Sequence, residues 1–201
     1  MRVDKVIWRS ILSTLLAIVI LLTILSCLLC WVFPSTMMDL TYKLGMNGES
    51  VKYAMRAYNQ TGSVAYVAFA TETAIVADND KNVEECGLKL IADDEFAVYC
   101  AKRNEKLDTS NITYEQYVYG MVSTSQYRQG KKSQAQETAF EAVGNTFPKN
   151  NAVVGLLTTA IGVNDLVTVT EIKVQLQALQ PNVTKTADGA YLVEILQLCE
   201  R

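Results

Sequence analysis

The sequence contains no histidine. That absence removes Ser-His-Asp and Cys-His nucleophilic catalysis and every histidine-containing metal site. Proline is scarce, with three residues, and glycine occurs only ten times in 201, which excludes collagen-like and proline-rich chains. Charge is thin as well: 19% of residues are charged, 50% are apolar, and the formal net charge is -3. That balance excludes a basic surface for nucleic acid, and the apolar content excludes a disordered chain. The sequence also lacks G-x-x-x-x-G-K-[ST], G-x-G-x-x-G and G-x-S-x-G, so phosphate cradles, dinucleotide sites and the nucleophile elbow have no anchor here. Asp78-Asn79-Asp80 opens like a calcium loop, but no glycine stands at its sixth place and no glutamate at its twelfth. The expectation is a chain without cofactor, without metal and without a nucleic-acid partner.

What is present is concentrated. From Ile11 to Phe33 the chain runs without one charge and is apolar almost throughout. At 1.5 Å per residue such a helix is about 34 Å long, enough to cross a hydrocarbon core of roughly 30 Å. Trp8 and Trp31 stand near its two ends, where aromatic rings favour the membrane interface, and Pro34 closes it. Ile24-Leu25-Ser26-Cys27 has the form of a lipoprotein signal, yet the chain remains apolar after Cys27, and no small-x-small exit follows Phe33. A retained anchor is expected. Arg2, Lys5 and Arg9 precede the stretch and the next cation is Lys43. By the positive-inside rule the N-terminus is expected in the cytoplasm and the rest outside the cytoplasmic (plasma) membrane, as a single-pass protein. The chain is thus divided into an arm at 1–10, a transmembrane helix at 11–33 and an extracytoplasmic domain at 36–201. Beyond Pro34 there are fifteen Lys+Arg and twenty Asp+Glu. Such an acidic domain has no electrostatic reason to lie on anionic lipid.

Five cysteines complete the inventory. Cys27 and Cys30 fall inside the span, where they read as small apolar fillers rather than a redox pair. For Cys86 and Cys100 a disulfide and two buried thiols both stand open; Cys199 makes the number outside the span odd. Sequons at Asn59, Asn111 and Asn182 matter only in a eukaryotic secretory setting.

Past Pro34, alternation of apolar and polar residues is rare and i, i+3, i+4 spacing recurs, so the domain is expected to be all-α. One constant shift aligns Tyr42 with Tyr127, Gly45 with Gly130, and Ser50, Ala54 and Ala57 with Ala135, Ala139 and Ala142. The pattern is that of two antiparallel helices. An aromatic closes the first, glycine permits the turn, and small residues on one face of the second allow close approach.

This pattern resembles the tetratricopeptide repeat, a helix-turn-helix of about 34 residues with small side chains on its second helix. One such repeat length on from Gly45 places Asn79 at the second turn, with Glu84, Leu88 and Ile91 at the small-residue positions. Helices are then expected at 63–78, 80–92, 95–107, 152–163, 166–179 and 188–200, with a Ser or Thr of the polar loop 108–113 capping the helix that follows.

The chain as a whole resembles bacterial single-span membrane-anchored proteins carrying such repeats, whose functions are uncharacterised. The resemblance implies an antiparallel helix-pair solenoid whose first helices line a concave surface for a protein or peptide. It implies partner-binding positions at Tyr66, Phe69 and Thr73, and at Tyr117, Thr124 and Arg128. Tyr42 and Tyr127 are read as packing residues at the turns, together with Gly45, Ala54, Ala57, Gly130, Ala135, Ala139 and Ala142. Tyr114, Tyr117, Tyr119 and Tyr127 make the densest aromatic stretch of the domain. The expected function is a non-catalytic, membrane-anchored interaction module, a scaffold or adaptor. The competing reading is a structural subunit of a larger membrane complex without a groove ligand. An enzyme built on Glu84, Glu85, Asp93 and Asp94 is the third reading. Acids at helix N-termini, where they complement the helix dipole, explain those residues more simply.

Overall fold

The computed structural model describes residues 2–106, 112–144, 146–183 and 186–199. Asn111, Thr184 and the side chain of Cys30 lie outside the described residues, as do the expected helix ends at Leu107 and Glu200 and most of the loop 108–113. Among the described residues the chain is helical throughout, with no strand. The helices are α1 (Arg2–Val32), α2 (Pro34–Lys43), α3 (Asn47–Thr61), α4 (Val64–Val76), α5 (Asp80–Ile91), α6 (Phe96–Asn104), α7 (Tyr114–Arg128), α8 (Lys132–Val143), α9 (Ala152–Gly162), α10 (Leu166–Leu179) and α11 (Thr186–Leu198).

The first helix is long because nothing in it breaks the ladder. Its stretch Ile7–Leu28 is long and apolar enough to cross a membrane, and none of it is buried against the rest of the chain. Its two threonines are satisfied locally: Thr14 donates to the Ser10 carbonyl and Thr23 to the Val19 carbonyl. A hydroxyl bonded to the preceding turn carries no open donor into an apolar surrounding. Phe33 leaves helical geometry, with φ -124° and ψ 62°, and Pro34 starts α2 at the position where its missing N–H costs nothing.

The remaining helices pack in chain order: α2 on α3, α3 on α4, α4 on α5, α5 on α7, α7 on α8, and α9 on both α7 and α8 before α10 follows. Four hairpins share one turn. In each, a single residue takes the left-handed conformation: Gly45 at φ 72°, Asp78 at φ 49°, Gly130 at φ 80° and Asn164 at φ 58°. The next residue's N–H reaches back to close the turn: Met46 to Thr41, Asn79 to Ala74, Lys131 to Gln126 and Asp165 to Ala160. Glycine carries this conformation without a Cβ penalty, and Asn and Asp are the residues that tolerate it next best. Side-chain caps then start the following helices. Asn79 accepts from the Asn82 N–H and Asp165 from the Thr168 N–H. Thr113 does the same for Gln116 at the start of α7, the capping role expected there.

The common turn corrects one register. The left-handed residue of the second hairpin is Asp78, one place before Asn79. The inward positions of α5 are therefore Val83, Gly87 and Leu90, all buried, rather than Glu84, Leu88 and Ile91. Leu88 is exposed at 40%, Ile91 is half-buried, and Glu84 turns to an ion pair with Lys131. The small residue of this hairpin is thus Gly87, the counterpart of Ala54 and Ala139. A Cβ on Gly87 would meet Val122 Cγ2 at 2.2 Å, so α7 lies directly on the bare backbone of α5. Of the other positions read as packing, Ala54, Ala57, Ala135 and Ala139 are buried, and Ala142 is half-buried. Tyr42 is only partly covered, its ring edge-on to Phe69 at 5.3 Å.

Two apolar clusters hold the stack. One joins Met38, Val51, Ala54, Ala70, Ala74, Val83 and Cys86 of the first two hairpins. The other is larger, running from Val64 and Leu90 through α6–α9 to Leu192 and Ile195 of α11. Cys86 lies in the first cluster and Cys100 in the second; both are free thiols, which settles the open pairing. Burial first, then neighbouring carboxylates, pushes Cys86 up to about 11 and Cys100 to about 12, so both stay protonated and unreactive.

Candidate functional site

Two hollows open along the first helices of the hairpins and share Ile112 and Tyr117. The one between α4, α6 and α7, about 420 Å³, is lined by Glu72, Val76, Arg103 and Tyr114. The one between α7 and α9, about 350 Å³, has Gly120, Met121, Thr124, Val154, Gly155 and Thr158 on its walls and floor.

One wall of the first hollow is bonded together. The Glu72 carboxylate accepts from Arg103 Nη2 at 2.9 and 3.1 Å and from the Tyr114 hydroxyl at 2.8 Å. The Arg103 guanidinium also lies 5.5 Å from the centre of the Tyr114 ring, whose edge faces Tyr99 at 5.7 Å. Burial, and then the facing Glu72 carboxylate, hold the Tyr114 hydroxyl far above its ordinary pKa, so it remains a donor. Glu72 and Arg103 pair through Nη2 while Arg103 Nε is buried without a partner, and the groove otherwise presents mostly apolar and hydroxyl groups: Val76, Tyr117, Met121, Thr124, Val154 and Thr158.

The expected partner positions are distributed unevenly. Tyr117 and Thr124 line the groove. Phe69 is half-buried under Tyr42, and Tyr66 is half-buried against the first cluster. Thr73 is 2% exposed and offers no side chain to a partner. The one-residue register correction explains it: at the same distance before each left-handed turn stand Glu72, Thr124 and Thr158, all on groove walls. Thr73 is one step further round and points inward, as Ser125 does. Arg128 stands at the turn end of α7, paired with Asp78 at 3.4 Å and Asp80 at 3.6 Å, and ties the second hairpin to the third. Tyr127 is buried and donates to Asp165 at 2.7 Å, tying the third to the fourth. Of the aromatic stretch, Tyr114, Tyr119 and Tyr127 are core; Tyr114 still lines the first hollow, and Tyr117 lines both. Glu72, Met121, Val154, Gly155 and Thr158 were not singled out from sequence. The signal was there, since Thr158 follows Thr124 by one repeat length.

A second, wider groove of about 920 Å³ separates α8 from α10 on the second-helix side. It exposes Leu166, Val167 and Val174 beside a chain of amides in which Gln175 donates to Gln136 and Gln136 to Glu171.

Three of the four carboxylates considered for catalysis have structural partners. Glu84 accepts from Lys131 and Gln129, Asp93 from the Tyr58 hydroxyl, and Glu85 pairs with Lys89. Among the described residues no cluster of His, Cys, Asp and Glu is arranged to hold a metal. Comparison with protein-family models, curated proteins and solved structures finds no match to this chain.

Proposed function

We propose that this chain is a membrane-anchored interaction module: a tetratricopeptide-like stack of helix hairpins that docks a protein segment and carries out no reaction. In this reading α1 spans the cytoplasmic membrane of a bacterium with its N-terminus inside, and the hairpins stand at the outer face. The observation that carries it is the pair of adjoining hollows across α4, α7 and α9, with Ile112 and Tyr117 common to both. Their walls are made by equivalent positions of successive hairpins, which is how a repeat surface recognises an extended or helical segment. With the Arg103 and Glu72 charges paired and the rest of its lining mostly apolar, the groove suits a segment rich in apolar and hydroxyl side chains rather than a charged tail. Tyr117 is the aromatic anchor of that surface.

The test is a photo-crosslinking amino acid at Thr124 or Thr158 of the full chain in cells, with Lys52 on the opposite side as control. One and the same protein should be attached from both threonines and not from position 52. Adducts equally abundant from all three positions would refute a groove. The second reading, a structural subunit, has a specific observation in its favour: the exposed apolar groove between α8 and α10. If that reading holds, adducts form at Val167 and Val174 and not at the threonines.

A further inference from the structure

We infer that one flank of α2 is a membrane-docking face, seated in the lipid headgroup layer beside the span. The inference rests on the reading of α1 as membrane-spanning. It starts from Met37 and Leu40 of α2 and the residues that cap it, Phe33 and Leu44; the spacing of four, three and four sets them as a stripe along one side of the helix and its two ends. Phe33 is 53% exposed, Leu40 48% and Leu44 64%, and Met37 is half-buried between them. The stripe lies about a quarter turn from the residues that α2 gives to the core, Pro34, Met38 and Thr41. Thr36, Asp39 and Lys43 occupy the other flank and are exposed.

Position decides what covers the stripe. No linker separates α2 from α1; a single residue, Phe33, joins them. Trp31, 70% exposed, is the aromatic residue at the outer end of the span and stands just before the stripe begins. The hairpin is also tied down at that point, since Gln60 Nε2 at the end of α3 donates to the Trp31 carbonyl at 3.1 Å. The base of the α2–α3 hairpin is thereby fixed at the level of the interface, so the bilayer meets this flank at a high effective concentration. A second copy is the weaker occupant. The four side chains expose on the order of 400 Å², about half of the roughly 800 Å² per partner that a stable protein interface buries. Lipid needs no shape complementarity and accepts a short amphipathic helix by apolar burial alone. The stripe carries no cation, so its seating should not depend on anionic lipid or on salt.

The experiment uses the full chain in zwitterionic nanodiscs whose acyl chains carry bromine near the headgroup. Single-tryptophan variants report position: W8F alone leaves Trp31, W8F/W31F/L44W reads the stripe, and W8F/W31F/D39W reads the opposite flank. The L44W indole should emit to the blue of D39W, be quenched several-fold more strongly by the brominated lipid, and keep that difference at high salt. W8F/W31F/L40W repeats the reading should L44W lose helix content by circular dichroism. Trp31 quenched while L44W and L40W stay water-like overturns the docking face and leaves the span intact. Blue-shifted but unquenched emission from the stripe assigns it to protein contact and overturns the proposal equally. An unquenched Trp31 removes the membrane-spanning reading itself.

Discussion

At the residue scale, the fold turns on small side chains in one register. Gly87 has no room for a methyl group, because Val122 is fully buried and stiff at χ1. Gly87→Ala should lower the stability of the full chain by about 1–3 kcal/mol, the usual cost of overpacking a tight helix contact. Gly155 is the control. A Cβ there meets nothing within 4 Å, and its φ is not in the left-handed region. Gly155→Ala should raise stability by about 0.5–1 kcal/mol through helix propensity. Urea unfolding followed by circular dichroism measures both, and an equal effect of the two substitutions would contradict the close approach of α5 and α7. Ala54, Ala57, Ala135 and Ala139 were legible in the sequence because two copies repeat them at a constant offset. Gly87 was not, because the second hairpin is one residue shorter before its turn. A fixed repeat step then lands on Leu88 instead, and the same slip put Thr73 where Glu72 faces the groove.

At the element scale, each hairpin is set by a left-handed residue followed by a cap. Two of these turns were readable from glycine. The other two use Asp78 and Asn164, which pattern reading passes over because Asp and Asn take the left-handed conformation without being required for it. Asn151 caps α9 through the Val154 N–H and donates to the Pro148 carbonyl while 2% exposed. Asn151→Ala should cost about 1–2 kcal/mol, read as a lower midpoint in the same urea titration, because it strips a cap and orphans buried groups. The turn between the third and fourth hairpins carries a pH dependence. Hydrogen bonds from Lys132, Thr168 and Tyr127 hold the Asp165 carboxyl well below the ordinary carboxylate range. Its contribution is therefore complete above the unfolded pKa of about 4 and is lost as pH falls below that value. Burial, and then its bond to Asp165, pushes the Tyr127 hydroxyl up to about 12. That contribution is complete below the unfolded pKa of about 10 and is lost as pH rises from there. Asp165→Asn keeps an acceptor for the Thr168 N–H but removes the charge. Its melting temperature should fall below that of the parent at pH 7, and the gap should narrow towards pH 3. A gap constant over that range would show that the carboxylate is not what the turn uses.

At the scale of the whole molecule, the sequence made two things plain: an apolar helix long enough to cross a membrane, and an all-helical remainder. Both follow from local periodicity and length, which a single sequence displays. The first hollow was not legible, because it depends on α6 lying beside α4 and α7, where Arg103 meets Glu72 from far along the chain. Nothing local in Arg103 announces that contact. The claim that a protein segment docks along α4, α7 and α9 also makes the two grooves separable by mutation. Thr158→Arg and Gly155→Leu fill the first-helix groove at exposed positions, whereas Leu166→Glu and Val174→Glu change only the groove between α8 and α10.

The most direct measurement is the dissociation constant of the crosslinked partner for the full chain in nanodiscs, compared across the wild type and these two pairs of variants. Thr158→Arg and Gly155→Leu should each weaken binding by at least about tenfold, with Leu166→Glu and Val174→Glu within about twofold of wild type. The opposite ranking, with binding lost only on the α8–α10 side, would contradict the account.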